Sequence, residues 1–160
     1  MKNKLVNLEN TRTDEQLEVM QKILEAGHCP FCKENLRNYH KKPTLRETEN
    51  WLLTEIQWPY ERTRCHLIAF AKNHVTTLSE LPKEAGSELF ELFQWAEKEY
   101  GMKGGAVGLG SALAMRFGES KYSSSTVTHL HAQMIFPDAD AILPDESIVF
   151  YIGKYQTKTK

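Results

Sequence analysis

The sequence predicts an α+β protein in which an antiparallel β-sheet of about five strands carries two main helices packed on it. Two segments have apolar residues at the three- and four-residue spacing of amphipathic helices. Between and after them lie short runs rich in β-branched and aromatic residues, joined by short turns. The order helix, two strands, helix, strands is typical of an α+β fold with an antiparallel sheet.

The first helix is predicted over about 13–26. Thr13 is a suitable N-cap, and Gln16 stands three residues later as its capping-box partner. Gly27 is a suitable C-terminal stop. The apolar residues at helical spacing are Leu17, Met20, Ile23 and Leu24.

Two strands are predicted next, after a polar stretch at 33–47 that predicts only a short helical turn and a loop. The strands are Trp51–Ile56 and Cys65–Ala71. Because the connection between them is short, we expect them to pair antiparallel.

A second helix is predicted from Pro82, since proline suits the first turn of a helix, to Gly101. Its expected core face is Ala85, Leu89, Phe93 and Ala96, with Phe90 and Leu92 beside them. The glycine-rich stretch Gly104–Gly110 then leads into a predicted strand at Ser111–Phe117.

The remaining chain predicts a polar loop at Gly118–Ser125 and the longest strand at Thr126–Phe136, which Pro137 ends. A last strand is predicted at Ser147–Ile152, followed by a flexible tail at Lys154–Lys160.

Length and composition predict one globular domain over residues 1–160, with its core at about 28–137. The net charge of −1 argues against extended nucleic-acid binding through a broad basic face. No apolar run approaches the ~20 residues of a membrane span, and the N-terminus has no signal-peptide pattern. We therefore expect a cytoplasmic protein without disulfides and without membrane partners.

One polar row lies in the predicted strand Thr126–Phe136. Residues two apart share a face of a strand, so His129, His131 and Gln133 should point the same way. Alternate residues would face the helices. The row is either a functional face or a half-exposed, solvated one.

The pair Cys29-Pro-Phe-Cys32 has three interpretations: two zinc ligands, a redox motif, or inert thiols. A redox motif normally follows a strand and opens a helix, whereas this one follows a helix and precedes a polar stretch. Zinc needs two further ligands, usually imidazoles. Spacing does not choose among the six histidines: His28, His40, His66, His74, His129 and His131.

The segment His129-Leu-His-Ala-Gln-Met-Ile resembles the signature of the histidine triad (HIT) superfamily, in which two histidines and a histidine or glutamine alternate with apolar residues. The earlier block from His66 to His74 and the turn Trp58-Pro-Tyr60 resemble other family segments. So do Met115–Gly118 and Ser124–Val127. The resemblance runs from about residue 28 to 137 and implies a HIT-like fold.

The sequence departs from the family pattern at three places. Gln133 stands at the third triad position, as in galactose-1-phosphate uridylyltransferases and some diadenosine-tetraphosphate phosphorylases. Ala71 replaces the usual proline before the lysine of the earlier block. The acidic or amide residue that commonly binds the ribose has no clear counterpart, and Gln57 is the nearest polar candidate.

The resemblance also implies a metal site. Zinc-bearing members of the superfamily bind the metal through a C-x-x-C pair, the histidine that ends the earlier block and the first triad histidine. The corresponding ligands here are Cys29, Cys32, His74 and His129. Four closed ligands predict a structural Zn²⁺.

The resemblance assigns catalysis to the triad face. It implies that His131 is the nucleophile, that its second ring nitrogen is held by the main-chain carbonyl of His129, and that Gln133 donates to a phosphate oxygen. It places His66 nearby, as a candidate for acid–base or phosphate contact. Candidate leaving-group contacts are Arg116, Ser124 and Thr126, while Cys65 and His40 are interpreted as structural or solvated.

The implied function is that of a nucleotide hydrolase or nucleotidyltransferase that attacks the α-phosphate of a nucleotide. Gln133 favours transfer to an acceptor such as phosphate. The small size favours hydrolysis of dinucleoside polyphosphates or nucleoside phosphoramidates. The alternatives are a non-catalytic, zinc-stabilised nucleotide-binding module and a redox protein using Cys29 and Cys32. Many HIT proteins are two-fold dimers, so the resemblance also predicts a homodimer.

Overall fold

The computed structural model describes residues 5–101, 111–138, 140–141 and 148–150. Four α-helices lie in the described parts: α1 Asp14–Ala26, α2 Lys33–Tyr39, α3 Glu84–Ala96 and α4 Ser120–Ser123. Five β-strands accompany them: β1 Thr44–Glu47, β2 Trp51–Glu55, β3 Thr63–Ala71, β4 Ala112–Arg116 and β5 His131–Pro137. A π-helical turn, Glu97–Gly101, follows α3.

Helix α1 begins and ends where the sequence predicts. The Thr13 hydroxyl accepts the backbone N–H of Gln16 at 3.1 Å, and Gly27 takes a left-handed conformation with φ of 71°. A side chain would be strained at such a φ, which is why glycine stands there.

The sheet has the strand order β1-β2-β3-β5-β4, and every neighbouring pair is antiparallel. This confirms the predicted fold class and the predicted pairing of the strands at Trp51–Ile56 and Cys65–Ala71. Strand β1 falls where the sequence predicts a loop. Its residues are half-buried or exposed at the sheet edge, so they carry little of the apolar alternation that marks a strand.

Helix α3 covers one face of the sheet, and their contact forms the largest core cluster. Trp51 is fully buried there, and its indole N–H donates to the Ala85 carbonyl at 2.7 Å. The predicted core face of α3 is confirmed. Phe90, predicted beside it, is 63% exposed because it lies on the outer side of the helix.

The opposite face of the sheet carries Ile68 and Phe70, which pack with Leu36 of α2. Helix α1 packs through Met20 and Ile23 on the segments before α2 and before β5. This second face is the one on which the polar row lies.

The predicted long strand at Thr126–Phe136 is wrong at its start, because β5 begins at His131. The preceding residues pair with other segments: Val127 forms an isolated bridge with Val6, and Leu130 N–H donates to the Val75 carbonyl at 2.8 Å. Strand β3, with nine residues, is longer than β5. The predicted polar loop at 118–125 contains the short helix α4.

Three predicted segments fall partly or wholly beyond the described parts. The glycine-rich stretch 104–110 and the tail 154–160 lie outside the described residues. Of the strand predicted at 147–152, only 148–150 are described, and they are not in a strand. Across the described ranges, no helix combines the length and apolarity that crossing a bilayer requires.

Candidate active site and metal centre

A cleft of about 980 Å³ opens on the sheet face opposite α3. Its floor comes from β3, β4 and β5, and its walls come from the N-terminal segment, the turn before α2, the β2–β3 connection and the segment 124–127. The predicted site residues that line it are Gln57, Arg116, Ser124, Thr126, His131 and Gln133. The cleft thus brings together residues that lie far apart in the sequence.

His131 lies at the centre of this floor, paired in the sheet with Phe70 on one side and Arg116 on the other. Its Nδ1 is 2.7 Å from the main-chain oxygen of His129. Because a carbonyl only accepts, Nδ1 carries the proton and Nε2 keeps a free lone pair. Burial, followed by the nearby charge of Arg116, lowers the pKa of His131 to about 4. The imidazole is therefore neutral at pH 7.

Gln133 follows His131 on the same face and is held from behind by His66. The backbone N–H of Tyr60 donates to Nδ1 of His66 at 3.2 Å, so the proton of this ring is on Nε2. That Nε2–H donates to Oε1 of Gln133 at 2.9 Å. The amide NH₂ is thus the group that Gln133 offers to the cleft.

His66 is 3% exposed, and both of its ring nitrogens are occupied by these two bonds. Burial is the main reason that its pKa falls to about 4. His66 is not among the described residues that line the cleft. The geometry therefore favours positioning of Gln133 over the acid–base or phosphate contact expected of His66.

Cys29, Cys32, His74 and His129 form one group, with a ligand atom from each lying within 4.8 Å of the others. Nδ1 of His129 lies 3.3 Å from Sγ of Cys29, and Nδ1 of His74 lies 3.4 Å from Sγ of Cys32. Nε2–H of His129 donates to the Ala71 carbonyl at 2.7 Å, so Nδ1 has its lone pair free for a metal.

This donor set fits Zn²⁺. Tetrahedral zinc has Zn–S and Zn–N bonds of about 2.3 and 2.0 Å, which put sulfur and nitrogen ligands about 3.5 Å apart. Burial raises the pKa of Cys29, and that of Cys32 to about 12, when no cation is present. A dication favours the thiolates instead. Four protein ligands complete the coordination shell, as in structural sites.

The redox interpretation of Cys29 and Cys32 finds partial support in the fold. The motif does open a helix, since Cys32 is the N-cap of α2, where the sequence predicts a short helical turn and a loop. The element before it is helix α1 and not a strand. Both sulfurs also face an imidazole nitrogen, which favours the metal site over a redox pair.

The metal group and the cleft share residues of the same turn. Phe31 lies between the two cysteines, and its ring centroid is 4.2 Å from that of Phe70 and 5.6 Å from that of His131. The carbonyl that fixes the tautomer of His131 belongs to His129, which is itself in the metal group. Changes at the metal group should therefore reach the cleft through two routes.

The predicted binding residues lie around the polar row. Arg116 is buried, and its guanidinium donates to the Ser123 carbonyl and, at 3.3 Å, to the Tyr60 hydroxyl. Oε1 of Gln57 accepts the backbone N–H of Lys41 at 2.9 Å, which holds this side chain on the cleft wall. Ser124 and Thr126 lie on the wall formed by the segment 124–127.

Cys65 is half-buried and packs against the α3-side core, in line with its structural interpretation. His40 is buried and lines the cleft, with Nε2 3.0 Å from the Thr54 hydroxyl. Sequence reasoning also missed Arg12 and Tyr60 as lining residues. Arg12 lies outside the segment that resembles the HIT family, so no motif marks it.

Comparisons with known proteins connect this geometry to a fold. No family model and no curated protein matches the chain. Several solved structures do. One is a histidine triad nucleotide-binding protein from Candida albicans, 19% identical, with a TM-score of 0.56 over 77% of this chain and 87% of that one.

Two further structures agree. A zinc-bound histidine triad family protein from Mycobacterium smegmatis is 21% identical, with a TM-score of 0.52 over 82% of this chain and 86% of that one. A HIT family hydrolase from Clostridium thermocellum is 20% identical, with a TM-score of 0.50 over 74% and 97%. Because the sheet, the polar row and the Cys₂His₂ group occur together on a backbone that matches these proteins, the chain has the histidine triad fold.

Proposed function

We propose that this protein is a nucleotide hydrolase or nucleotidyltransferase that attacks the α-phosphate of a nucleotide through a covalent intermediate on His131. The observation that carries the proposal is the state of His131. It is a buried, neutral imidazole in a cleft, and Nδ1–H is bound to the His129 carbonyl while Nε2 keeps its lone pair. The match to structures named as histidine triad nucleotide-binding and HIT family hydrolase proteins supports it.

The reaction has two displacements at the α-phosphorus. In the first, the Nε2 lone pair forms a P–N bond, and the bond from phosphorus to the leaving group breaks with its electron pair going to the leaving group. The imidazole becomes cationic, and its Nδ1–H bond to the His129 carbonyl stabilises that charge. In the second, an oxygen lone pair of water or phosphate attacks phosphorus, the P–N bond breaks with its electron pair returning to Nε2, neutral His131 is restored, and the attacking group releases its proton to solvent.

Gln133 acts on the phosphoryl group during both displacements. Its amide NH₂ donates to a non-bridging oxygen, where negative charge develops in the transition state. His66 orients this amide by binding Oε1, so His66 is a positioning residue. A glutamine has no titratable proton, so Gln133 cannot act as the general acid that protonates the leaving group.

Zn²⁺ bound by Cys29, Cys32, His74 and His129 would be structural, because four protein ligands leave no position for a reacting water. The residues of the group would tie the turn before α2 to the segment before β5. They thereby hold the His129 carbonyl behind His131 and the Phe31 ring against the cleft. The zinc-bound structure from Mycobacterium smegmatis supports this role.

The nucleoside would lie in the apolar part of the cleft, between Phe31, Ile68 and Phe70. Gln57, on the wall beside them, is the candidate for ribose binding. Arg116, Ser124 and Thr126 would contact the leaving group. We further propose that residues 1–160 form one domain, that the protein is cytoplasmic and that it forms a two-fold dimer.

A trapping experiment tests the proposed function. The protein is mixed with a panel of α-³²P-labelled dinucleoside polyphosphates and nucleoside phosphoramidates, with and without inorganic phosphate, and quenched in alkali, in which phosphohistidine is stable. We expect label on the peptide that contains Leu130–Met134. Phosphate-dependent turnover would indicate a phosphorylase, and phosphate-independent turnover a hydrolase. Nucleotide that binds tightly without label or turnover would favour the non-catalytic binding module.

Replacing Gln133 with alanine should lower kcat about 10²–10³-fold, because one donor to the developing oxyanion is lost. His66→Phe should lower kcat about tenfold, since it leaves Oε1 of Gln133 without its buried donor. The two losses should not add: the double variant should be no slower than Gln133→Ala alone. Full additivity in this cycle would contradict positioning through Gln133.

A further inference from the structure

The N-terminal segment before α1 builds one wall of the cleft. Residues 9–12 line it. The segment is fixed in place by backbone bonds, since Asn7 N–H donates to the Thr126 carbonyl at 2.8 Å and Thr128 N–H donates to the Leu5 carbonyl at 2.9 Å. The Asn10 amide adds a bond to the Ser125 carbonyl at 2.7 Å. This wall is therefore part of the folded structure.

The wall carries a cation that reaches the β2–β3 connection on another wall of the cleft. The Arg12 guanidinium lies over the Tyr60 ring, 4.3 Å from its centroid, and donates to the Trp58 carbonyl. Arg116, from β4, reaches the same tyrosine at its hydroxyl. Tyr60 thus holds one guanidinium on its ring face and another at its edge.

The same tyrosine also contacts His66, the residue that holds Gln133. Its ring centroid is 4.7 Å from that of His66, and its backbone N–H donates to His66, which in turn binds Gln133. Arg116 is the strand partner of His131. Arg116 is therefore the neighbour of the proposed nucleophile, and Arg12 lines the same cleft and shares Tyr60 with it.

We infer that Arg12 and Arg116 together bind a phosphate oxyanion next to the phosphorus that His131 attacks. This inference rests on the proposed function and names its substrate class. Planar guanidinium groups bind phosphate oxygens through paired N–H donors. A site with two guanidinium groups therefore favours an anionic phosphate over an uncharged ligand.

The charges around the two arginines agree with an anion between them. Glu9 is the one carboxylate among the described residues that line the cleft. Burial lowers the pKa of Arg12, and the positive charge of Arg116 lowers it further, although the Tyr60 hydroxyl opposes this. A bound phosphate would bring negative charge to this pair of like charges.

The bound phosphate has two possible sources. It is either part of the leaving group, as in a dinucleoside polyphosphate, or an inorganic phosphate that accepts the nucleotidyl group. A neutral amine leaving group, as in a nucleoside phosphoramidate, would not use the two cations. The site therefore selects substrates or acceptors that place a phosphate beyond the α-phosphorus.

Equilibrium binding tests this without turnover. Calorimetry compares AMP with a methylene-bridged, non-hydrolysable diadenosine tetraphosphate. We expect Arg12→Gln to weaken binding of the tetraphosphate at least tenfold and binding of AMP less than threefold. The matched control is Arg46→Gln. The Arg46 guanidinium also lies over an aromatic ring, 5.4 Å from the centroid of Trp95, but outside the cleft. Equal losses for both ligands, or none, would overturn the inference.

Kinetics then separate the two sources. If the phosphate is in the leaving group, Arg12→Gln lowers kcat/KM for diadenosine tetraphosphate and spares adenosine phosphoramidate. If it is the acceptor, the variant raises KM for inorganic phosphate with either substrate. Either pattern supports the inference, and a uniform loss on all substrates contradicts it. Failure of the proposed function has another signature, namely turnover that survives removal of His131.

Discussion

Replacing His131 with alanine is expected to abolish turnover, lowering kcat/KM by about 10⁴-fold or more. Losses of this size follow removal of the nucleophile from a covalent mechanism. The reason here is that Nε2 of His131 is the atom that forms the P–N bond. The measurement is kcat/KM on the best substrate of the panel, with the alkali-stable label on Leu130–Met134 as a second readout.

The neighbours of His131 explain why no other side chain of this row should act as the nucleophile in its absence. His129 has Nε2 bound to the Ala71 carbonyl and Nδ1 facing the cysteine sulfurs. Both nitrogens of His66 are also engaged. Gln133 offers only an amide nitrogen, whose lone pair is delocalised. Among the three residues of the polar row, His131 is thus the one with a free imidazole lone pair.

Two controls make the His131 result interpretable. His131→Gln keeps a side chain of similar length and should be equally inactive, which separates lost chemistry from an empty cavity. Zinc content and the melting curve of both variants should stay close to those of the parent, since His131 is not among the four residues of the metal group. Most of the parental turnover in either variant would exclude the mechanism.

Local sequence signals predicted the elements whose causes are local. Thr13 and Gly27 delimit α1 because a cap and a left-handed residue act within one turn of the chain. The pairing of β2 with β3 follows from a short connection. The start of β5 could not be predicted in this way, because Val127 pairs with Val6 more than a hundred residues earlier.

The candidate site divides in the same manner. His131 and Gln133 follow from alternation along one strand, but spacing alone did not choose His74 and His129 as partners for the cysteines. The resemblance supplied them, and the folded chain brings all four together. Arg12 enters the cleft through tertiary packing of the N-terminal segment, which no local pattern in the sequence encodes.

The role of His66 shows a different limit. Its position near the nucleophile follows from the resemblance, but its chemistry depends on two hydrogen bonds. The Tyr60 N–H occupies Nδ1 and Gln133 occupies Nε2. A motif specifies which side chain is present, and the partners of its two nitrogens decide whether that side chain can transfer a proton.

The metal group should hold one Zn²⁺ per chain, and its loss should have the largest effect on stability. Metal affinity contributes directly to the free energy of folding when the unfolded chain lacks a formed site. Cys29→Ser replaces a thiolate ligand with a hydroxyl that stays protonated. If this costs about 3 kcal/mol, the melting temperature should fall by roughly 6–12 °C for a chain of this size.

The matched control for this prediction is Cys65→Ser, because Cys65 is the third free cysteine and lies outside the metal group. Elemental analysis of chelator-free protein should find near-stoichiometric zinc in the parent and in Cys65→Ser, and much less in Cys29→Ser. Turnover of Cys29→Ser should fall as well, even at temperatures below its melting range. The metal group holds the His129 carbonyl and the Phe31 ring in place, and both contact His131. Zinc-free parent protein with an unchanged melting temperature would contradict the structural metal.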